Sequence, residues 1–120
     1  MLSNKYIQLT SNTNDKIIFL GDMNDQLTDP EDRNVFWDLL HDDNFIFVDQ
    51  SIEEGHSDYW SYPGYPSHID HILLTSALEN SLNEFYSSVE IVPVDLDFMN
   101  WDEYDFLVSD HRPVLLRLAY

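Results

Sequence analysis

Five short apolar runs, each closed by polar or turn-forming residues, set the pattern of this chain. Lys16 to Leu20 stops at Gly21, Phe45 to Val48 stops at Asp49, and His68 to Leu74 stops at Thr75. Phe85 to Val92 and Pro113 to Ala119 complete the set. Runs of this length between turn residues read as strands. Alternation inside the third run puts Ile69 and His71 on one side and Asp70 and Ile72 on the other. Pro113 is allowed as the first residue of a strand, where no ladder donor is missed.

Helical signals are fewer. Asp29-Pro30-Glu31-Asp32 is a helix start, with an N-cap acid, a proline at the first helical position and acids in the first turn. Val35, Phe36, Leu39 and Leu40 would give that helix one apolar face, and His41 to Asn44 would end it. Ser76-Ala77-Leu78-Glu79 has capping-box spacing and predicts a brief helical turn. Lys5 to Leu9 reads as the last turns of a helix, Asn12 to Asp15 as a turn and Asp22 to Thr28 as a loop. Residues 50–66 are irregular, with Asp58 to Tyr62 pairing as a short strand. Residues 95–107 read as an acidic, aromatic loop or short helix. The expectation is a mixed α/β (α+β) chain with strands in the majority.

Composition narrows what the elements can do. A chain of 120 residues is one small domain with a real core. It has no cysteine, which excludes disulfides and thiolate metal sites, so any metal must be held by oxygen or imidazole. No apolar run is long enough to span a membrane, and Met1 to Lys5 carries no secretory apolar segment. The net charge is −18, with Lys5, Lys16, Arg33, Arg112 and Arg117 the only fixed cations. Long nucleic acid is held by cations that displace counterions, so this composition suits solubility better than a general DNA clamp.

Three stretches carry candidate chemistry. In Gly21-Asp22-Met23-Asn24, a carboxylate can bind metal or take a proton from water, and an amide can donate to a phosphoryl oxygen; an ordinary polar turn is the alternative. In Ile69-Asp70-His71-Ile72, a carboxylate inside an apolar strand is costly unless paired, so Asp70 either orients a histidine held elsewhere or lies near an exposed edge. His71 itself reads as a structural residue. In Ser109-Asp110-His111, a histidine beside a carboxylate is a tuned acid, or simply a satisfied loop residue. The acids from Asp95 to Asp105 lack calcium-loop spacing, since Met99 occupies a required oxygen position, and read as a solvated loop. Tyr59, Trp60, Tyr62 and Tyr65 can stack on a ring or pack under a loop. His41, His56 and His68 show no metal-ligand spacing with one another.

Taken in order, Gly21-Asp22-Met23-Asn24, Ile69-Asp70-His71-Ile72 and Ser109-Asp110-His111-Arg112-Pro113 resemble the endonuclease/exonuclease/phosphatase superfamily, the deoxyribonuclease-I-like fold. The likeness runs from about Lys16 to the C-terminus. It implies the C-terminal half of a four-layer α/β sandwich, with a mixed, mostly antiparallel sheet and flanking short helices. It also implies Mg²⁺- or Mn²⁺-dependent hydrolysis of a phosphoester, in a small molecule or a nucleic acid. By resemblance, Asp22 would orient or deprotonate the attacking water and Asn24 would hold the phosphoryl group. His111 would stabilise the transition state, Asp70 would pair with His111, and Asp22 and Asp110 would lie at the metal.

The family's other elements, among them a glutamate metal ligand and a second histidine, have no counterpart between Met1 and Lys16. Residues 1–120 are therefore expected to form a partial domain that needs the missing N-terminal half or a partner chain for activity. Its exposed sheet face would be covered by a homodimer partner or by a complementing N-terminal half. Two other functions remain open: a non-catalytic remnant acting as an interaction module, and an acidic cation-binding protein without chemistry.

Overall fold

The structure, a computed structural model, describes residues 14–119. Three strands, β1 (Ile18–Asp22), β2 (Phe45–Phe47) and β3 (Asp70–Thr75), form an antiparallel sheet in the order β1-β3-β2. A second antiparallel sheet pairs β4 (Ser88–Ile91) with β5 (Val114–Arg117). Four short helices, α1 (Trp37–Leu40), α2 (Gln50–Glu53), α3 (Glu79–Leu82) and α4 (Trp101–Leu107), lie between the strands, with 3-10 turns at Ser57–Tyr59, Ser76–Leu78 and Val94–Asp97. The architecture is α+β.

The central strand β3 organises both cores through its period-two alternation. Leu73 pairs across the sheet with Phe19 and Phe47. It packs with Leu27, Phe36, Phe45 and Phe47 on one face. Ile72 and Leu74 point the other way, into a core shared with Val48, Leu78, Val89, Val114 and Leu116. Side chains of β4 and β5 therefore pack on the side of β3 that carries Ile72 and Leu74. Ile18 and Leu20 pair with Leu74 and Ile72 and share their face, yet remain 44% and 70% exposed on the edge strand.

Several expected elements differ. The helix from Asp29 shrinks to the single turn α1, because Asn34 competes for the backbone. Its amide donates to the Leu27 and Asp29 carbonyls, and its oxygen accepts from the Phe36 N–H. Such local side-chain bonds offer the chain an alternative to the helix. Asp58 to Tyr62 is not a strand. The 3-10 turn at Ser57–Tyr59 replaces most of it, and Tyr62 pairs only with Ser67, closing a small loop. The fourth strand loses its start, since Phe85 and Tyr86 lie in an exposed turn closed by the Ser87 N–H on the Glu84 carbonyl. The acidic stretch contains α4, capped by the Asn100 side chain accepting from the Glu103 N–H. Within it Asp95 is buried rather than solvated, because Arg112 pairs with it. The helix expected at Lys5 to Leu9 lies outside the described residues, as does part of the turn expected at Asn12 to Asp15.

Candidate functional site

The ends of β1 and β3 bring two carboxylates together. The antiparallel register sets Asp22 opposite Asp70 and Gly21 opposite His71. Past the strand, the Met23 N–H donates to the Ile69 carbonyl at 2.8 Å. The Asn24 N–H then donates to Asp22 Oδ1 at 2.9 Å. Asn24 has a φ of 57°, a left-handed conformation that asparagine tolerates better than most residues. Gly21 has a φ of 145°, and no atom lies within 4 Å of where a Cβ would stand. Backbone torsion, rather than crowding, is what asks for glycine there.

The loop entering β5 supplies the histidine. Buried Tyr104 donates its hydroxyl to the His111 carbonyl at 2.7 Å, and the His111 N–H donates to Ser109 Oγ at 3.0 Å. The imidazole Nδ1 donates to Asp70 Oδ2 at 2.6 Å. Its other nitrogen, Nε2, has Asp110 Oδ1 at 3.9 Å, too far for a hydrogen bond. The Tyr62 ring lies over the imidazole with centroids 4.8 Å apart. Partial burial alone would lower the pKa of His111. The hydrogen bond and charge of Asp70, with the charges of Asp110 and Asp22, outweigh it and raise the pKa above 6.5. The structure thus gathers Asp22, Asp70, Asp110 and His111 around one spot, with Asn24 on the adjoining turn.

Arg112 fixes this loop from behind. Its Nε and Nη2 donate to the two oxygens of Asp95 at 2.9 and 2.8 Å, and Nη1 donates to the Asp58 carbonyl at 2.6 Å. Arg112→Lys keeps the charge but loses the planar fork. It is expected to cost roughly 1.5–3 kcal/mol in urea unfolding, the range for a hydrogen bond to a charged group. An unchanged midpoint would show that the fork contributes nothing.

A second polar cluster lies inside the protein. Asp49 Oδ2 accepts from His68 Nε2 at 2.9 Å and from His71 Nδ1 at 2.6 Å, and Asp49 Oδ1 accepts from the Ile72 N–H at 2.8 Å. All three side chains are fully buried. The ring tautomers follow from their partners. His71 Nε2 faces the Asp25 carbonyl at 2.8 Å, so both its nitrogens meet acceptors and both carry protons. His68 Nδ1 accepts from the Ser61 N–H at 3.3 Å, so its proton is on Nε2. The result is a buried carboxylate–imidazolium pair with a neutral histidine attached.

Burial alone would raise the Asp49 pKa. The hydrogen bonds from His68 and His71, the His71 charge and the Ile72 N–H outweigh it and bring the pKa from 3.8 to about 2. Burial likewise opposes charge on His71, but Asp49, the Asp25 carbonyl and Glu53 raise its pKa above 6.5. Asp49 therefore contributes stability above its unfolded value that is lost as pH falls through about 2. His71 contributes stability fully present below 6.5 that is lost as pH rises through its folded value. Urea midpoints should be highest between 3.8 and 6.5 and fall on both sides. Midpoints that keep rising above that window would show His71 to be neutral in the fold.

The ligand atoms of Asp49, His68 and His71 lie within 4.8 Å of one another, so this buried group could hold a metal ion. Two imidazole nitrogens and one carboxylate oxygen suit a transition metal better than magnesium. His71 is disposed for it, since a ligating histidine commonly donates its other N–H to a backbone carbonyl. His68 is not, because a ligating Nε2 would leave the remaining proton on Nδ1, where the Ser61 N–H already points.

The chain matches no protein-family model, no curated protein and no solved structure. The site is therefore read from its own chemistry. The carboxylates expected to face a metal, Asp22 and Asp110, lie outside the buried cluster and are exposed. Sequence reasoning missed Asp49, which followed a strand as an unremarked polar residue. It also missed Glu53, whose carboxylate accepts from the Leu27 and Thr28 N–H groups and the Thr28 hydroxyl. The nearest available signal for the cluster was His68-x-x-His71, two histidines flanking the start of an apolar strand.

Proposed function

We propose that this chain is a metal-dependent phosphoesterase domain of the endonuclease/exonuclease/phosphatase type, with its two sheets forming part of that family's four-layer sandwich. The observation that carries the reading is the Asp70–His111 pair, in which Asp70 holds Nδ1 and leaves Nε2 without a hydrogen bond beside Asp22 and Asp110.

His111 has the features of a donor to a phosphoryl oxygen. Asp70 fixes the proton on Nδ1 and favours the imidazolium, leaving the Nε2–H free to meet charge that develops on the phosphate. Asp22 has one oxygen occupied by the Asn24 N–H and the other available to take a proton from water. Asn24, on the same turn, supplies an amide donor. Water adds to phosphorus, the bond to the leaving oxygen breaks, and that oxygen leaves with a proton from solvent. Asp22 and Asp110 offer the oxygen donors that a hard cation prefers, and magnesium commonly binds through one or two carboxylates plus water. Bound there, Mg²⁺ or Mn²⁺ would supply charge stabilisation at the phosphoryl group.

The acidic chain favours a small or single phosphoester over long duplex nucleic acid as substrate. A second copy of the chain, or a complementing N-terminal half, would cover Ile18 and Leu20 and could bring the further carboxylate that the family resemblance implies. Manganese titration followed by electron paramagnetic resonance tests the metal assignment. Binding is expected to weaken sharply when Asp22→Asn and Asp110→Asn are combined. Binding that survives this pair but disappears in His68→Ala would contradict the reading and move the metal to the buried cluster.

One observation favours a second reading, a non-catalytic interaction module. Among the described residues, Asp22, Asp70 and Asp110 do not form a group compact enough to hold a metal, whereas Asp49, His68 and His71 do. No helix among the described residues is long and apolar enough to cross a membrane.

A further inference from the structure

We infer that Ser61 is the positioning residue that sets Asp70 and His111 within reach of each other. The inference rests on the phosphoesterase reading only for its consequence in turnover; the geometry stands apart from it.

Asp70 and His111 lie 41 positions apart in the chain, the first at the start of β3 and the second on the loop that leads into the other sheet. A separation of 2.6 Å between their side chains requires the two strand ends to be fixed relative to one another. Ser61 is fully buried and hydrogen-bonds both ends. Its Oγ accepts from the Ile69 N–H at 3.3 Å and the Asp70 N–H at 3.2 Å. Its carbonyl accepts from the Arg112 N–H at 2.7 Å, directly after His111. Its own N–H donates to His68 Nδ1, which anchors the turn to the buried Asp49 cluster.

The surrounding turn repeats this arrangement. Asp58, three residues before Ser61, accepts from the Arg112 guanidinium through its carbonyl. Tyr62, one residue after, covers the imidazole. Ser61 touches neither a reacting atom nor the His111 ring, so its role is exercised through Asp70 and the backbone. Losing the hydroxyl leaves two N–H groups at the start of β3 without their acceptor. The strand end can then satisfy them only by moving, and Asp70 moves with it.

Proton NMR of the folded chain reads this without reference to activity. Short imidazole–carboxylate bonds give strongly low-field N–H signals, and the protein offers two: His111 to Asp70, and His71 to Asp49. The second is an internal control for folding, because it does not depend on the Ser61 side chain. Ser61→Ala is expected to lose the His111 signal and keep the His71 signal, while Ser61→Thr, which retains a hydroxyl, restores the first. Turnover in Ser61→Ala should fall ~10²-fold in kcat with little change in KM, as for a misplaced catalytic group. Persistence of both signals in Ser61→Ala would overturn the inference. Loss of both would overturn it too, since the serine would then hold the whole fold rather than this pair. A wild-type chain that shows the His111 signal but hydrolyses no phosphoester leaves the positioning role intact and removes the phosphoesterase reading instead.

Discussion

His111→Ala is expected to lower phosphoester turnover by ~10²–10³-fold, the usual cost of removing one donor aimed at developing charge. Among the described residues, the imidazole brings to the candidate site an Nε2 that makes no hydrogen bond. Arg112, its neighbour, spends its guanidinium on Asp95 and the Asp58 carbonyl. Asp70→Asn should give a smaller loss, because an amide oxygen can still accept from Nδ1 but no longer favours the charged ring. Steady-state kinetics on both variants, with near-ultraviolet circular dichroism as the folding control, checks the ordering. Equal turnover in His111→Ala and wild type would remove His111 from the chemistry.

Asp49→Ala has the largest expected effect on stability, about 3–5 kcal/mol, the range for removing one partner of a buried ion pair. The carboxylate accepts three hydrogen bonds, from His68, His71 and the Ile72 backbone. Its loss strands the His71 imidazolium between Phe36, Phe47 and His68. A domain is stable by only about 5–15 kcal/mol, so the variant should be unfolded or nearly so at mild urea concentrations. The penalty should shrink above the His71 pKa, where the ring can be buried neutral. A loss below about 1 kcal/mol, a typical net hydrogen bond, would mean that the cluster is not an ion pair.

The sheet was legible where burial follows a simple period. The alternation of β3 alone places Asp70 and His71 on opposite sides, and that separation keeps the exposed and buried clusters distinct. What could not be read were partners brought together by the fold. Asp49 meets His68 and His71 from 19 and 22 positions away, and nothing local marks it. Asp95 looked solvated among its acidic neighbours because Arg112 reaches it from 17 positions away. The helix at Asp29 was overextended because Asn34 reads as an ordinary polar residue, whereas its side chain takes up the carbonyls of a turn. The ordered motifs suggested a site, but only the strand register shows Asp22 opposite Asp70. Ser61 carried no sequence signal at all, since all four of its bonds use its own or its partners' backbone.

The most direct test of the account is Mn²⁺-dependent hydrolysis of a chromogenic aryl phosphodiester by the purified chain, measured over a range of protein concentrations, with His111→Ala prepared alongside. Turnover is expected to require the metal, to disappear with a chelator and to be lost in the variant. Specific activity should also rise with chain concentration if a second copy completes the site. No metal-dependent turnover at any concentration, or equal turnover in the variant, would contradict the phosphoesterase reading and leave the interaction-module reading in its place.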